Sequence, residues 1–237
     1  MLKRAQGQVL RYLRHQVADA GLRERLTPRY VLGCKRILLS NNFYPSVQRP
    51  NVSVVPEGID HVSAAGVRTV DGTLHPADVL IFATGFHTGG EGTPFPVFGL
   101  EGVELNTAWA RGPQAYLGTT VTGYPNLFLM TGPNTILGHN SMIYMIESQA
   151  RYVMDALQTM RRRRLHAVDV RAEVQRDYNA DLQTRMRRTC WSTGSRRSSH
   201  MAPDASNPNL WPHFTPPFHN NTRAHHRDKQ RPWPAGT

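Results

Sequence analysis

An α/β fold is what this chain predicts, on three observations. Two apolar runs, 78–83 and 127–130, each stop on Thr-Gly, at Thr84-Gly85 and Thr131-Gly132. Short apolar runs bounded by turn residues are the pattern of strands buried on both faces of a sheet. Two longer segments, 142–157 and 171–189, repeat apolar residues at helical spacing. Chains that mix these two periods build layers of sheet and helix.

The elements follow in order. Residues 5–20 place Val9, Leu10, Leu13 and Val17 on one helical face, and Gly21 is the expected stop. Thr27-Pro28 breaks any helix. Residues 29–50 read as loop. From Asn51 the period falls to two: 52–55 is a short β-branched strand and 66–70 alternates. Asp71-Gly72 then marks a hairpin turn, and Thr73-Leu74 begins the return. The buried run at 78–85 comes next. Residues 87–114, rich in Gly and Pro, read as irregular surface chain.

After the second apolar run stands Gly138-His139-Asn140-Ser141, where Asn140 or Ser141 can cap a helix. Met142, Met145, Ile146, Gln149, Val153, Ala156 and Leu157 share that helix's inner face. The next helix carries Val174, Tyr178, Leu182 and Met186 at four-residue steps. Beyond residue 190, Ser, Pro, Arg and His replace the aliphatics. This basic tail is expected to be disordered for want of apolar surface, with Leu210-Trp211-Pro212 and Phe214 as its anchor.

Charge and composition narrow the class. The net charge is +11, but residues 1–50 hold 10 Lys/Arg against 2 acids, 51–150 hold 2 against 8, and 151–237 hold 16 against 7. No reading motif for nucleic acid accompanies the basic ends, so no specific nucleic-acid partner is expected. Arg161 to Arg164 read as the solvated end of a helix, where cations favour the negative dipole end. No apolar run is long enough for a membrane span. The N-terminus lacks the apolar core and cleavage site of a secretory signal. Cys34 and Cys190 give neither a disulfide framework nor metal spacing, and the scattered histidines give no metal site. A cytoplasmic location is the expectation.

Chemistry is expected where the apolar runs end. A glycine there lets backbone approach a ligand closely. The loop after Gly132 opens a helix whose start offers unpaired N–H groups and partial positive charge. Those features suit an anion or an electron-rich carbonyl, although strand–loop–helix units of purely structural purpose carry the same glycines. Lys35-Arg36 reads either as a solvated basic loop or as a functional pair of cations.

The ordered set of motifs goes further. Gly33-Cys34-Lys35-Arg36 is followed by Asn42-Phe43-Tyr44, Ala83-Thr84-Gly85-Phe86, Tyr124-Pro125-Asn126-Leu127-Phe128, Gly132-Pro133-Asn134, Gly138-His139-Asn140-Ser141 and Glu147-Ser148-Gln149. In this order and spacing they resemble the C-terminal half of a flavin-containing monooxygenase of the Baeyer–Villiger type. The resemblance covers about 10–190, lapses over 195–206 as a pair of compensating frameshifts would leave it, and resumes at 207–215.

The resemblance implies a partial FAD-binding, Rossmann-like fold of the type with two dinucleotide-binding domains. Residues 1–42 would end the NADPH-domain insertion and its return loop, 43–190 would form the second half of the FAD domain, and 191–237 the divergent tail. It implies FAD and NADPH as cofactors and a ketone-type small molecule as substrate. Thr84, Gly85, Gly132, Asn134, Gly138 and Asn140 would lie against FAD, with Lys35 on the NADP phosphate or ribose. Arg36 would be the active-site cation, since negative charge developing at a flavin calls for a guanidinium that keeps its proton. His139 would position rather than act as a base.

One departure stands out. The family carries a GxGxxG fingerprint for each dinucleotide, and none stands in this chain. The expectation is therefore a truncated or inactive monooxygenase. The alternative is a non-catalytic remnant or interaction module that pairs with a separately encoded N-terminal half.

Overall fold

The computed structural model describes residues 2–35, 37–85, 92–138, 140–192, 206–223 and 229–234. Two compact units divide the chain: Met1–Leu32 with Ile37–Phe86, and Gly33–Arg36 with His87–Thr237.

The first unit opens with α1 (Leu2–Gln16) and α2 (Ala20–Leu26). Leu13 and Val17 are its buried apolar residues. Gly21 does not stop a helix as expected. The Asp19 carboxylate accepts from the Leu22 N–H at 2.6 Å and starts α2 across it. Pro28 then ends the helical path. The short α3 (Phe43–Val47) packs on α1 through Tyr12 and Tyr44, whose rings lie 5.9 Å apart.

A three-stranded antiparallel sheet follows in the order β1 (Ile59–Ser63), β2 (Gly66–Thr69), β3 (Leu74–His75). The hairpin turn falls at Asp71-Gly72 as expected. Asp71 accepts from Thr69 Oγ1 at 2.6 Å and from the Thr73 N–H at 3.1 Å. These bonds hold its carboxyl below the usual range, the Thr69 hydroxyl contributing most. The strand expected at 52–55 does not form; its Val54 carbonyl accepts from the Arg25 guanidinium instead.

The run 78–85 departs most from expectation. It is neither strand nor buried: Ile81 is 88% exposed, Val79 77% and Phe82 75%. Its backbone joins none of the described strands. Apolar patterning registers a need for burial, but a strand forms only beside a partner strand.

The second unit contains α4 (Leu105–Ala108), α5 (Met142–Arg163), β4 (Leu165–Val170), α6 (Ala172–Met186), α7 (Thr215–Asn221) and β5 (Gln230–Pro234). Ser141 caps α5, as the sequence allows, and Arg164 ends it in the left-handed conformation. One core gathers Leu137, Met145, Leu182, Met186, Trp211 and Phe218. A second, around Leu105, Val121 and Tyr124, takes in Leu127 and Leu129 of the apolar run. That run is half-buried and forms no strand, again unlike the expectation.

The tail also differs. Residues 206–214 are irregular apart from a bridge at Leu210, but 215–221 form α7 and 230–234 form β5. Phe218 on α7 is fully buried, and β5 pairs antiparallel with β4 from Leu165↔Pro234 to Val170↔Gln230. Trp211 anchors as expected, whereas Phe214 is 77% exposed. Among the described residues no helix is long and apolar enough to cross a membrane, and no cluster of His, Cys, Asp or Glu could hold a metal ion.

Candidate functional site

The loop from Thr131 to the start of α5 is held from three sides. Gln149, fully buried on α5, reaches back to it. Its Nε2 donates to the Gly118 carbonyl at 2.8 Å and to Thr119 Oγ1 at 3.0 Å, and its Oε1 accepts from the Thr131 N–H at 2.9 Å. Thr131 and Asn134 both sit at φ 58, a conformation that costs a non-glycine residue energy and persists only where the surroundings fix it. Gly132 has no room for a Cβ, which would collide with the Gly118 carbonyl.

Asn134 is buried and donates its side-chain amide to the carbonyls of Asn207 at 2.6 Å and Leu210 at 3.0 Å. The segment 207–211 thus braces the loop, with Ile136 N–H bonded to the Asn209 carbonyl and Trp211 N–H to the Ile136 carbonyl. At the helix start, Asn140 donates to Thr215 Oγ1 at 2.8 Å and accepts from the Ser141 N–H at 2.8 Å. Ser141 Oγ accepts from the Ile143 N–H at 3.3 Å.

The Lys35 segment meets this loop at one indole. Trp191 donates its Nε1–H to the Gly33 carbonyl at 2.9 Å, and a Cβ on Gly138 would stand 3.2 Å from Trp191 Cζ2. Cys34 Sγ donates to the Cys190 carbonyl at 3.0 Å. Burial, and then the neighbouring Cys34, push the Cys190 thiol up. Lys35, the next residue, is exposed.

Of the residues singled out from sequence, Lys35, Gly132, Asn134, Gly138 and Asn140 therefore share the second unit. Thr84 and Gly85 lie in the first, exposed, with Gly85 at φ 87. Arg36, His139 and Phe86 fall outside the described residues. Sequence reasoning missed the brace from Asn207, and the role of Trp191 as the joint. An isolated Trp after an amphipathic helix carries no pattern, and a contact across more than 150 positions leaves no local trace.

The chain is a homologue of proteins named Baeyer–Villiger monooxygenases. It is 45% identical to a Baeyer–Villiger monooxygenase of Pseudomonas aeruginosa over 227 residues, covering 94% of this chain and 42% of that protein. Among solved structures it is similar to cyclohexanone monooxygenase from Rhodococcus sp. Phi1 bound to NADP+, with a TM-score of 0.85 at 25% identity, over 99% of this chain and 45% of that one. It shares its fold with OTEMO in complex with FAD and NADP, with a TM-score of 0.81 at 22% identity, over 98% of this chain and 44% of that one. The chain thus spans less than half the length of each. No protein-family model matches it.

Proposed function

We propose that this chain supplies one part of the site of a Baeyer–Villiger-type monooxygenase, which uses FAD, NADPH and O2 to oxygenate a ketone or related organic substrate. The observation that most supports this is the meeting of the Gly33–Lys35 segment and the Gly138 loop at Trp191. Two motifs of the family resemblance, a hundred positions apart, are held against one side chain.

The residues present fit a nucleotide cofactor in kind. They offer an exposed ammonium at Lys35, an indole at Trp191 and a capped helix start at Ser141. They include no glycine-rich pyrophosphate cradle. The side-chain amides of Asn134 and Asn140 are engaged within the protein, and the space beside Gly132 and Gly138 is filled. Their proposed part is therefore to fix the shape of the loop that faces the cofactor.

FAD reduced by NADPH supplies the oxygen-transfer chemistry when bound. Lys35 would bind the NADPH phosphate or ribose as a point charge. Arg36 would hold developing negative charge and orient the substrate carbonyl. Thr84-Gly85 would present bare backbone, and the exposed run before it is the face that the rest of such a fold would cover. Residues 1–42 belong, on this proposal, to the end of the NADPH-binding domain and 43–190 to the FAD-binding domain. A cytoplasmic location belongs to the same proposal.

Titrating FAD and NADPH into the purified full chain tests the reading. FAD binding is expected to be weak, and Lys35→Ala to lower NADPH affinity about tenfold, the worth of one charge-assisted contact. Flavin absorbance at near-equal stoichiometry in the purified chain would overturn the missing cradle. An unchanged NADPH affinity in Lys35→Ala would remove Lys35 from the site.

A further inference from the structure

Neither cysteine has a place in the proposed chemistry, and their spacing in sequence suggests no partnership. The fold nonetheless brings them together. Cys34 Sγ lies 3.0 Å from the Cys190 carbonyl oxygen, across 156 positions of chain. Cys190 Sγ fills the space that a Cβ on Gly33 would enter, 3.2 Å from it. The Trp191 indole ties the same two segments through the Gly33 carbonyl at 2.9 Å. Three contacts of different chemistry thus hold the backbones of 33–34 and 190–191 side by side. After burial, the neighbouring Cys34 is what raises the Cys190 thiol. Both are free thiols, Cys34 buried and Cys190 partly exposed.

We propose that Cys34 and Cys190 are a thiol-modification site that closes to a reversible intramolecular disulfide when a peroxide is supplied. Cys190 is the sulfur that a small oxidant reaches first, because it is the more exposed. Its thiolate attacks one oxygen of hydrogen peroxide, the O–O bond breaks, and hydroxide leaves and takes a proton to become water. The sulfenic acid at Cys190 is then attacked by the Cys34 sulfur. The S–S bond forms, the S–O bond breaks, and a second water leaves with the Cys34 proton. In total two thiols lose two hydrogens, and one peroxide is reduced to two waters. A dithiol reductant reverses the step by exchange.

The consequence is local. The disulfide fastens the segment that carries Lys35 to the turn that carries Trp191, where only hydrogen bonds and packing hold it in the reduced protein. Gly33, at φ 92 and without a Cβ, is what leaves room for the sulfur.

The test uses the full chain and does not depend on any cofactor. The protein is treated with a small excess of hydrogen peroxide, alkylated with iodoacetamide, digested without reductant and mapped by mass spectrometry. A linked pair of peptides containing Cys34 and Cys190 is expected in the monomer. Dithiothreitol should restore two alkylatable thiols, and the oxidised form should melt several degrees above the reduced one because a long loop is closed. Cys34→Ser and Cys34→Ala should each leave Cys190 without a partner and remove both the linked pair and the shift in melting. The wild-type map decides the matter even if neither variant folds. Two thiols that stay alkylatable, over-oxidation of Cys190 to the sulfinic acid, or a disulfide between two copies would each overturn the proposal.

Discussion

Replacing Gln149 by Ala tests whether the loop after Thr131 is positioned from α5. The side chain makes three short hydrogen bonds, at 2.8, 3.0 and 2.9 Å, and a longer one to the Leu129 carbonyl at 3.5 Å, inside a fully buried site. At about 1 kcal/mol net for each short bond, their loss costs about 3 kcal/mol. The lost methylene and the cavity left behind add about 1 kcal/mol. The expected destabilisation is thus about 4 kcal/mol, a large part of the margin of an ordinary domain. Urea unfolding followed by tryptophan fluorescence measures it. Gln149→Glu supplies an internal control: it keeps the acceptor for Thr131 but turns a carboxylate toward the Gly118 carbonyl. That variant should be as unstable as Gln149→Ala near neutral pH and recover as acid protonates it. A loss below about 1 kcal/mol in Gln149→Ala would show that the bonds to this side chain do not hold the loop.

Other outcomes follow from the same geometry. Asp169 on β4 is buried, and burial holds its carboxyl above the usual range against the Gly123 N–H at 2.9 Å. A group raised in the folded state favours folding when protonated. Wild type should therefore gain stability relative to Asp169→Asn as pH falls through the raised value toward 3.8, and lose that gain as pH rises again, measured by urea unfolding across the range. His213 runs the other way. Burial and then Arg185 lower it from 6.5, so its contribution is present above 6.5 and lost as pH falls below, which His213→Gln should flatten. Ile81→Lys, at a residue 88% exposed, should cost this chain less than about 0.5 kcal/mol in the same assay. A large loss there would mean that the run is buried in solution.

Helices were the most legible part of the fold, and even there the detail shifted. The capped start of α5 at Ser141 follows from residue type alone. Its buried stripe matches the expected face only in part: Met145, Gln149 and Ala156 are buried as expected and Ser148, Tyr152 and Thr159 join them, while Ile146 and Leu157 are more than a third exposed. Its polar members are hydrogen-bonded, Gln149 to the Gly118 carbonyl and the Thr131 N–H, Ser148 to the Tyr144 carbonyl and Tyr152 to the Gln230 side chain, so hydrogen bonding helped set a face that hydrophobic periodicity alone could not. The β4–β5 pair was illegible because β5 contains two prolines and lies some sixty residues downstream, and the pairing spends no proline N–H that a strand pattern would require. The apolar run at 78–83 was legible as a segment that needs cover, but not as one that lacks it within these residues. For the site, the motifs named the loop and the Lys35 segment. Their junction at Trp191, and the pairing of the two cysteines, are products of tertiary structure alone.

The central claim is that these residues form a working part of a Baeyer–Villiger site. A chimera tests it most directly: the Pseudomonas aeruginosa relative with its aligned 227-residue portion replaced by the matching portion of this chain. The account expects a flavin-bound protein that consumes NADPH and oxygenates a ketone, and whose Arg36→Ala variant keeps FAD but loses ketone oxygenation by about a hundredfold or more. A folded, flavin-bound chimera that oxygenates no ketone, or one in which Arg36→Ala oxygenates as well as the parent, would contradict it.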